Sequence, residues 1–576
     1  MKILLTTLNS KFIHSSLALK YLYNNIYDIA DVSVREYTIN ENLQDIFCDI
    51  MSENYDLIAF STYIWNVEHI LKLCCDIKLA NPYTKLLFGG PEVSFDSIDF
   101  MKKNDMVDYI IRDEGEIVFR KFIMAYEDKS FENVESLTYR KNEEIIENID
   151  ARPIENLGMI RGAYDIFDEN SIKDKIVYYE TSRGCCYNCS YCLSSVTKSV
   201  RFFPYEKVIS DLEKLVSLGA KQIKFVDRTF NYDKKRTIDL IKYLCTLDNG
   251  SINFHFEITA HIMQDDLLDA LKNVRQGLFQ FEIGVQSTNK QTIKAVNRID
   301  NFDELSKKVR KIKSFGNIHQ HLDLIAGLPY ENLDSFKHSF NDVMALEPDN
   351  LQLGFLKMLK GSPINSVVGQ FAIKYRNYAP YEVISTQFLS YKDIFLLKDV
   401  ESVLEEYYNS MTFNYSMKFI LSKIDNDYFS FFERFCNFKK GNDYNKNLSR
   451  DDRFYLLFDY ARSFLSDKNI YFFKELLRFD YLLMGRNRVI PEFLKNDTCK
   501  LNSQIKKDII ADIDLSKKFD INTEIKNINS VINIELFDID IEKFDKENIP
   551  EKKESYVVFN YFGAKNFRNI VNFYVY

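Results

Sequence analysis

Twice along this 576-residue chain, short apolar runs alternate with amphipathic helical patterns, and that alternation leaves few folds open. In the first series, Met1–Leu8, Val32–Tyr37, Leu57–Ser61, Lys85–Phe88 and Val107–Ile111 read as buried strands. Helical patterns fall between most of them, at Ser16–Ile26 and Trp65–Leu79, and Ile117–Tyr126 follows the last. Strands that alternate with helices predict an open, Rossmann-like parallel α/β sheet. The second series has strand patterns at Ile176–Thr181, Gln222–Val226, Asn253–Ile258, Leu278–Gly284, His319–Ile325 and Leu351–Phe355. Helical patterns separate them at Tyr205–Leu218, Lys234–Leu247, Asp265–Lys272, Phe302–Ser314 and Leu333–Leu346, which predicts a parallel (β/α)6 partial barrel. In both architectures ligands bind at the carboxyl ends of the strands.

The loop after the first strand of the second series reads Thr181-Ser182-Arg183-Gly184-Cys185-Cys186-Tyr187-Asn188-Cys189-Ser190-Tyr191-Cys192. Cys185, Cys189 and Cys192 stand in a C-x3-C-x2-C spacing, with the aromatic Tyr191 just before the last. A loop of this length can fold three thiolates onto one face of an iron–sulfur cube. Such clusters are ordinarily held by four cysteines, so a compact set of three suggests an iron kept open for a substrate or cofactor. Zinc takes four ligands from paired C-x2-C units, and no second pair or nearby histidine completes that set. A disulfide framework does not suit a long, cysteine-poor chain. Cys186 complicates the count, because Cys186-x2-Cys189 is also a C-x2-C pair.

Length predicts about three or four domains, and 46% hydrophobic residues with mixed charge describe a soluble globular chain. The net charge of −9 gives no electrostatic footprint for nucleic acid. Ile3–Leu8 is too short for a signal peptide's core, and no later stretch approaches ~20 apolar residues, so a cytoplasmic protein without membrane attachment is expected. The scattered cysteines fit a reducing compartment. An exposed cluster is oxygen-labile, which points to an anaerobic setting.

The strand ends of the first series concentrate small and polar residues. They are Asn9, Ser10, His14, Ser15 and Ser16; Ser61, Thr62 and Tyr63; Gly89, Gly90, Pro91 and Glu92; and Glu114, Gly115 and Glu116. Small residues allow close backbone approach, and the polar ones can bond a ligand rim. The second series ends its strands on Asp227 with Asn231, Glu257 with Thr259, Glu282 to Ser287 and Asp323 to Pro329.

The cysteine spacing with its preceding aromatic resembles the radical S-adenosylmethionine (SAM) superfamily. The resemblance implies that Cys185, Cys189 and Cys192 ligate a [4Fe–4S] cluster whose open iron chelates SAM, with Cys186 a non-ligand neighbour. The first series resembles the cobalamin-binding domain that precedes the radical core in B12-dependent members. By that resemblance its strand-end residues, from Asn9 to Glu116, hold the corrin and its side chains. Tyr191, Glu257, Gln286 and Ser287 become candidates for SAM contacts, and Asp227 and Asn231 for the cavity lining. The D-x-H-x-x-G motif that supplies a cobalt-ligating histidine in many other B12 proteins is absent, since none of the seven histidines has Asp two places before it. The methylthiotransferase branch binds a second cluster through three separated cysteines. Here Cys48, Cys74 and Cys75 include an adjacent pair on a helical pattern, which is poor cluster geometry.

The expected domains are 1–135 for cobalamin, a linker at 136–175 with a hairpin-like stretch at Lys141–Pro153, 176–370 for the radical core, and 371–576 as an accessory region. The last is mainly helical (Tyr391–Tyr408, Met417–Leu421, Phe454–Leu465, Ile470–Leu483) with a β tail (Ser530–Phe537, Glu554–Tyr561, Arg568–Tyr576). Cys436 and Cys499 there read as ordinary residues, and the region resembles an uncharacterised extension found on some proteins of this order. Together these features predict a cobalamin-dependent radical SAM enzyme that methylates an unactivated carbon, served by a reducing protein of flavodoxin or ferredoxin type. The alternatives are a B12-dependent rearrangement, cyclisation or oxidation without methyl transfer, and a non-catalytic corrinoid or Fe–S binding protein.

Overall fold

The computed structural model describes residues 1–442, 448–485, 489–495, 502–512, 532–561 and 571–576. Cys499, Ser530, Val531 and residues 568–570 lie outside the described residues. Internal contacts divide the chain into two units, Met1–Phe336 with Leu353–Tyr391, and Lys337–Gln352 with Lys392–Tyr576.

The first unit begins with β1 (Lys2–Asn9), α1 (Leu17–Ile26), β2 (Asp31–Thr38), α2 (Leu43–Met51), β3 (Leu57–Ser61), α3 (Val67–Ala80), β4 (Lys85–Gly89), α4 (Ser97–Lys103), β5 (Tyr109–Ile111) and α5 (Gly115–Met124). Its sheet runs β2-β1-β3-β4-β5 in parallel, the doubly wound order whose direction of growth reverses between β1 and β3. Seven of the eight residues of β1 are buried, because helices cover both faces of the sheet. Leu4, Leu8, Ile58, Phe60, Leu86 and Phe88 pack into one core, and Ile3, Leu5, Leu57, Ala59 and Leu87 into the other.

One expectation is corrected here. The sheet is not all parallel, for β6 (Leu137–Lys141) and β7 (Glu144–Glu147) add an antiparallel hairpin to β5. The hairpin starts at Leu137, within the stretch 136–175 and ahead of the hairpin-like segment expected at Lys141–Pro153, because Leu137 and Tyr139 pack into the sheet's core. Asn142, at φ 57°, makes the tight turn.

The second sheet contains β8 (Val177–Tyr179), β11 (Gln222–Phe225), β12 (Asn253–Ile258), β13 (Phe279–Gln286), β14 (His319–Ala326) and β15 (Asn350–Phe355). Their order, β15-β14-β13-β12-β11-β8, follows the chain, as the wall of an open barrel does. A two-stranded hairpin, β9 (Ser182–Arg183) and β10 (Arg201–Phe202), interrupts the barrel after β8. Phe254, Phe256, Phe279 and Phe281 are buried on one face of this sheet, while Lys224, His255, Glu257 and Glu282 take the alternate positions.

The second unit is helical at Tyr428–Gly441, Arg450–Arg462 and Asp467–Leu483, and carries a three-stranded antiparallel sheet. The helix beginning at Tyr391 passes into a π-helical segment, Leu404–Asn409. The buried Asp480 accepts hydrogen bonds from the Tyr415 and Ser416 amides (3.0 and 2.8 Å) and from Ser416 Oγ (2.6 Å). It thereby caps the Asn414–Leu421 helix from a neighbouring element. Among the described residues no helix is long and apolar enough to cross a membrane.

Candidate functional site

A cavity of about 530 Å³ opens where β1, β3, β4 and β5 end. Its polar lining includes Asn9, Ser10, His14, Ser15, Ser16, Ser61, Tyr63, Gly89, Gly90, Glu114, Gly115 and Glu116. Leu19, Leu22, Ala59, Leu87, Ile111 and Phe119 form the apolar part, and Tyr178 of β8, Glu180 and Val226 just past the ends of β8 and β11, and Arg183 of β9 complete the wall. A mostly apolar interior with a few convergent polar groups is the usual form of a cofactor pocket.

Local sequence fixes this rim. Ser16 Oγ accepts from the Leu19 amide and starts α1, while Glu36 takes hydrogen bonds from the Ser16 amide and Asn9 Nδ2, both at 2.7 Å. The fully buried Asn66 donates to Thr7 Oγ1 and to the Leu8 and Ser61 carbonyls, and accepts from the Tyr63 amide, so it ties the loop after β3 to β1. The rings of Tyr63 and Trp65 stack 4.4 Å apart at the rim. Gly90 is required: its φ is +108°, and an added Cβ would meet the Thr62 carbonyl oxygen at 2.5 Å.

Three of the residues expected around a corrin do not line the cavity. Thr62 is fully buried and donates to the Gly89 carbonyl at 2.8 Å. Pro91 is exposed where the chain turns after Gly90. Glu92 is 2% exposed, accepts from Tyr381 Oη and pairs with Lys360 Nζ at 3.1 Å.

The cysteines occupy the hairpin between β9 and β10. The Tyr187 amide points at Cys185 Sγ (3.5 Å), Thr229 Oγ1 is 3.7 Å from the same sulfur, and the Cys192 amide donates to the Cys189 carbonyl at 3.1 Å. Hydrogen bonding with Cys186, ahead of burial, shifts the Cys185 thiol, and the net direction is down; burial pushes Cys189 up. Among the described residues no three His, Cys, Asp or Glu side chains converge on a single ion. A cube does not ask for that, since each thiolate takes a different iron.

Tyr191 is anchored through Arg298, whose Nη1 donates to its hydroxyl at 3.3 Å while Nε pairs with Asp300 at 3.0 Å. Burial opposes the charge of Arg228, but Glu257, Cys192 and Cys185 hold it above its usual range, and its Nη1 lies 3.7 Å from Glu257 Oε1. Gln286 sits at φ +70° where the β13–β14 register shifts. Ser287 is buried and donates to Glu331 at 2.6 Å. Asp227 does not present an open carboxylate. It is 1% exposed and accepts from the Thr181 amide (2.9 Å), Thr181 Oγ1 (2.6 Å) and Ser182 Oγ (2.6 Å), which fixes the approach to the cysteine loop. Asn231 exchanges two hydrogen bonds with the Thr259 backbone, both at 2.9 Å, and joins the strand ends of β11 and β12.

The polar face of the second sheet carries an ion pair between Lys224 Nζ and Glu282 Oε2 at 2.9 Å, with His255 Nε2 at 3.3 Å from the same oxygen. Burial opposes ionisation of Glu282, but His255 and Lys224 hold its carboxyl below the usual range. Beside it, burial and then Glu282 and Glu257 push Asp323 well up, and burial pushes His321 down to about 4. Branched apolar side chains fill the middle of an ordinary α/β barrel; this one is lined by ionisable groups.

Sequence reasoning missed Tyr178, Glu180 and Arg183 as cavity residues. The signal was present, because the acidic and basic residues after β8 fall at a strand end, where ligands gather.

Fold and site together define a two-cofactor architecture: a doubly wound domain whose strand ends open into the cavity that strand ends of the barrel help to wall. Residues 3–123 match the B12 binding domain, 179–343 the Radical SAM superfamily, and 369–559 a protein of unknown function, DUF4080. The chain thus carries a B12-binding domain followed by a radical SAM domain. It is 24% identical over 334 residues to the cobalamin-dependent radical SAM methyltransferase TokK of Streptomyces tokunonensis, a match that covers 54% of this chain and 48% of TokK. It is 21% identical over 331 residues to the anaerobic magnesium-protoporphyrin IX monomethyl ester cyclase of Cereibacter sphaeroides, covering 55% and 53%. The chain thus spans about half the length of these relatives. The cobalamin-dependent SAM radical enzyme OxsB, solved with aqua-cobalamin and SAM, superposes with a TM-score of 0.58 at 15% identity, covering 91% of this chain and 82% of OxsB. That likeness carries the fold.

Proposed function

We propose that the protein is a cobalamin-dependent radical SAM enzyme that methylates an unactivated carbon. The observation that carries the reading is the shared wall: Tyr178, Glu180 and Arg183, at the edge of the cysteine hairpin, line the same cavity as the strand ends of the N-terminal sheet.

The residues suit both groups. Three thiols on one short hairpin provide the soft ligands of an iron–sulfur cube. Gly90 and Gly115 present backbone without a side chain to the cavity, and Asn9, Ser10 and Ser61 offer hydrogen bonds around a ligand seated there. When bound, SAM at the cluster supplies a 5′-deoxyadenosyl radical and the corrinoid a transferable methyl group. Around them, Cys185, Cys189 and Cys192 would hold the cluster, and Tyr191 on its Arg298 anchor would shape the loop. Glu257, Gln286 and Ser287 would stand toward SAM. The domain limits 1–135, 136–175, 176–370 and 371–576 belong to the same proposal, as do an anaerobic cytoplasmic setting and a flavodoxin- or ferredoxin-type reductant.

The test is a reconstituted protein given SAM and hydroxocobalamin under anaerobic reduction. It should bind cobalamin, release 5′-deoxyadenosine, and pass label from SAM methyl to its substrate, raising product mass by one methylene unit. The likeness to a cyclase favours a second reading, rearrangement or oxidation without methyl transfer; 5′-deoxyadenosine formed with no labelled product would select it. A chain that never cleaves SAM is a carrier or sensor instead.

A further inference from the structure

The hairpin that holds the cysteines is clamped at its base onto the domain that forms most of the cavity. Arg183 and Arg201 are paired residues of β9 and β10, so they mark where the loop 184–200 leaves the hairpin. Both reach the start of α5. Arg183 Nη2 pairs with Glu116 and, at 2.7 Å, with Glu180, and its Nη1 lies 3.7 Å from Glu114. Arg201 Nη2 bonds Glu114 Oε1 at 2.5 Å. The Arg183 guanidinium also lies 5.3 Å from the Tyr21 ring and 5.8 Å from Phe203.

Two features make this more than a surface ion pair. Glu114 and Glu116 bracket Gly115, and all three line the cavity with Arg183 itself, so a molecule seated there touches the clamp directly. On the other side, Gly184 alone separates Arg183 from Cys185. It sits at φ +91°, and an added Cβ would stand 2.0 Å from the Ser199 carbonyl oxygen, so the chain has no slack between clamp and first thiol. The pairs are largely buried, with Arg183 13% and Glu116 8% exposed at the side chain. In such surroundings removing one partner strands the other's charge, and the forked guanidinium fixes direction as well as distance.

We propose that Arg183 is a positioning residue that couples occupancy of the cavity to the placement of the cysteine loop. The inference rests on the reading that cobalamin takes the cavity and that the cluster with SAM sits on the loop. A ligand that favours the formed clamp from the cavity side and one that favours it from the loop side must bind cooperatively, each raising the other's affinity by the same factor.

The experiment measures hydroxocobalamin Kd by absorbance titration of the cluster-loaded full chain, with and without saturating SAM. Wild type, Arg183→Met, Arg183→Lys and Glu116→Gln are compared. SAM is expected to tighten hydroxocobalamin binding by about 5-fold or more in wild type, the lower end of ordinary coupling. The factor should fall toward one in Arg183→Met and Glu116→Gln, and recover in part in Arg183→Lys, which keeps the charge without the fork. A merely structural arginine would lower stability and leave the factor unchanged. The proposal is overturned by a wild-type factor of one, or by a factor that persists in both neutral variants. Should Arg183→Met fail to load its cluster, Glu116→Gln, which lies outside the hairpin, decides alone. Wild type that binds no cobalamin or holds no cluster overturns the cofactor reading and the proposal with it.

Discussion

Tyr178 Oη lies 2.7 Å from Nδ1 of His14, so the first barrel strand is bonded to the loop that follows the first strand of the N-terminal sheet. Burial, reinforced by Lys11, Lys224 and Lys175, holds His14 below its usual pKa, and a neutral imidazole in this position acts as a hydrogen-bonding group rather than a charge. Both residues line the cavity. Tyr178→Phe and His14→Ala should each weaken hydroxocobalamin binding by about 3- to 10-fold, the value of one ordinary hydrogen bond. Equilibrium titration measures this, and two unchanged dissociation constants would remove the contact from the binding site.

The cysteine triad and the cavity should separate by mutation. Replacing Cys185, Cys189 and Cys192 together by Ala is expected to abolish cluster absorbance and bound iron while hydroxocobalamin still binds. Cys186→Ala should keep the cluster, since the proposed ligand set is Cys185, Cys189 and Cys192. Iron lost in that variant to the same extent as in Cys185→Ala would reassign the ligand set.

The Lys224–Glu282 pair sets a different balance. Lys224→Met leaves a partly buried carboxylate without its partner, which costs about 3–5 kcal/mol where burial is complete and less here, because the pair is roughly a quarter exposed. The double variant Lys224→Met/Glu282→Leu should recover much of that loss, as neighbours in one network do not add. Urea unfolding of the four proteins in the cycle tests it, and strict additivity would show that the pair does not act as one.

In the second unit, burial pushes the Asp480 carboxyl up to about 7 against three hydrogen bonds that favour its charged form. An unfolded Asp titrates near ~3.9. Below that pH both states are protonated; between it and the folded value only the folded state keeps the proton. Stability of this unit should therefore be fullest in acid with respect to this group and fall as pH rises through about 4 to 7. Asp480→Asn should flatten that slope at some cost to the cap. A slope that survives in the variant would assign it to other groups.

Much of the fold was legible because parallel strands buried on both faces announce themselves as apolar runs. Leu57–Ser61 and Asn253–Ile258 begin and end where the sequence pattern places them. The helices Leu43–Met51 and Ser97–Lys103 leave little periodic signal in the sequence, being only nine and seven residues long. The sequence shows a hairpin-like connection only from Lys141 to Pro153, since the polar residues there hide the strand pair that starts at Leu137 and packs Leu137 and Tyr139 inward. Among site residues, Thr62, Glu92 and Asp227 carry the right chemistry at strand ends, yet their polar atoms are spent on Gly89, Lys360 and Thr181. Only the fold reveals which polar groups are already satisfied.

Read without the fold, the chain already places three thiols on one short loop, sets that loop after a barrel strand, and puts before it a second sheet with small residues at its strand ends. Those facts depend on spacing and periodicity, which are local. Tertiary structure alone decided that Arg183 and Arg201 close on Glu114 and Glu116, that Tyr178 reaches His14, and that Lys224, His255 and Glu282 meet across three strands. Contacts between residues tens of positions apart follow from how sheets twist and pack, and no window of the chain contains both partners. The cysteine loop was therefore visible from the start, while its attachment to the cavity was not.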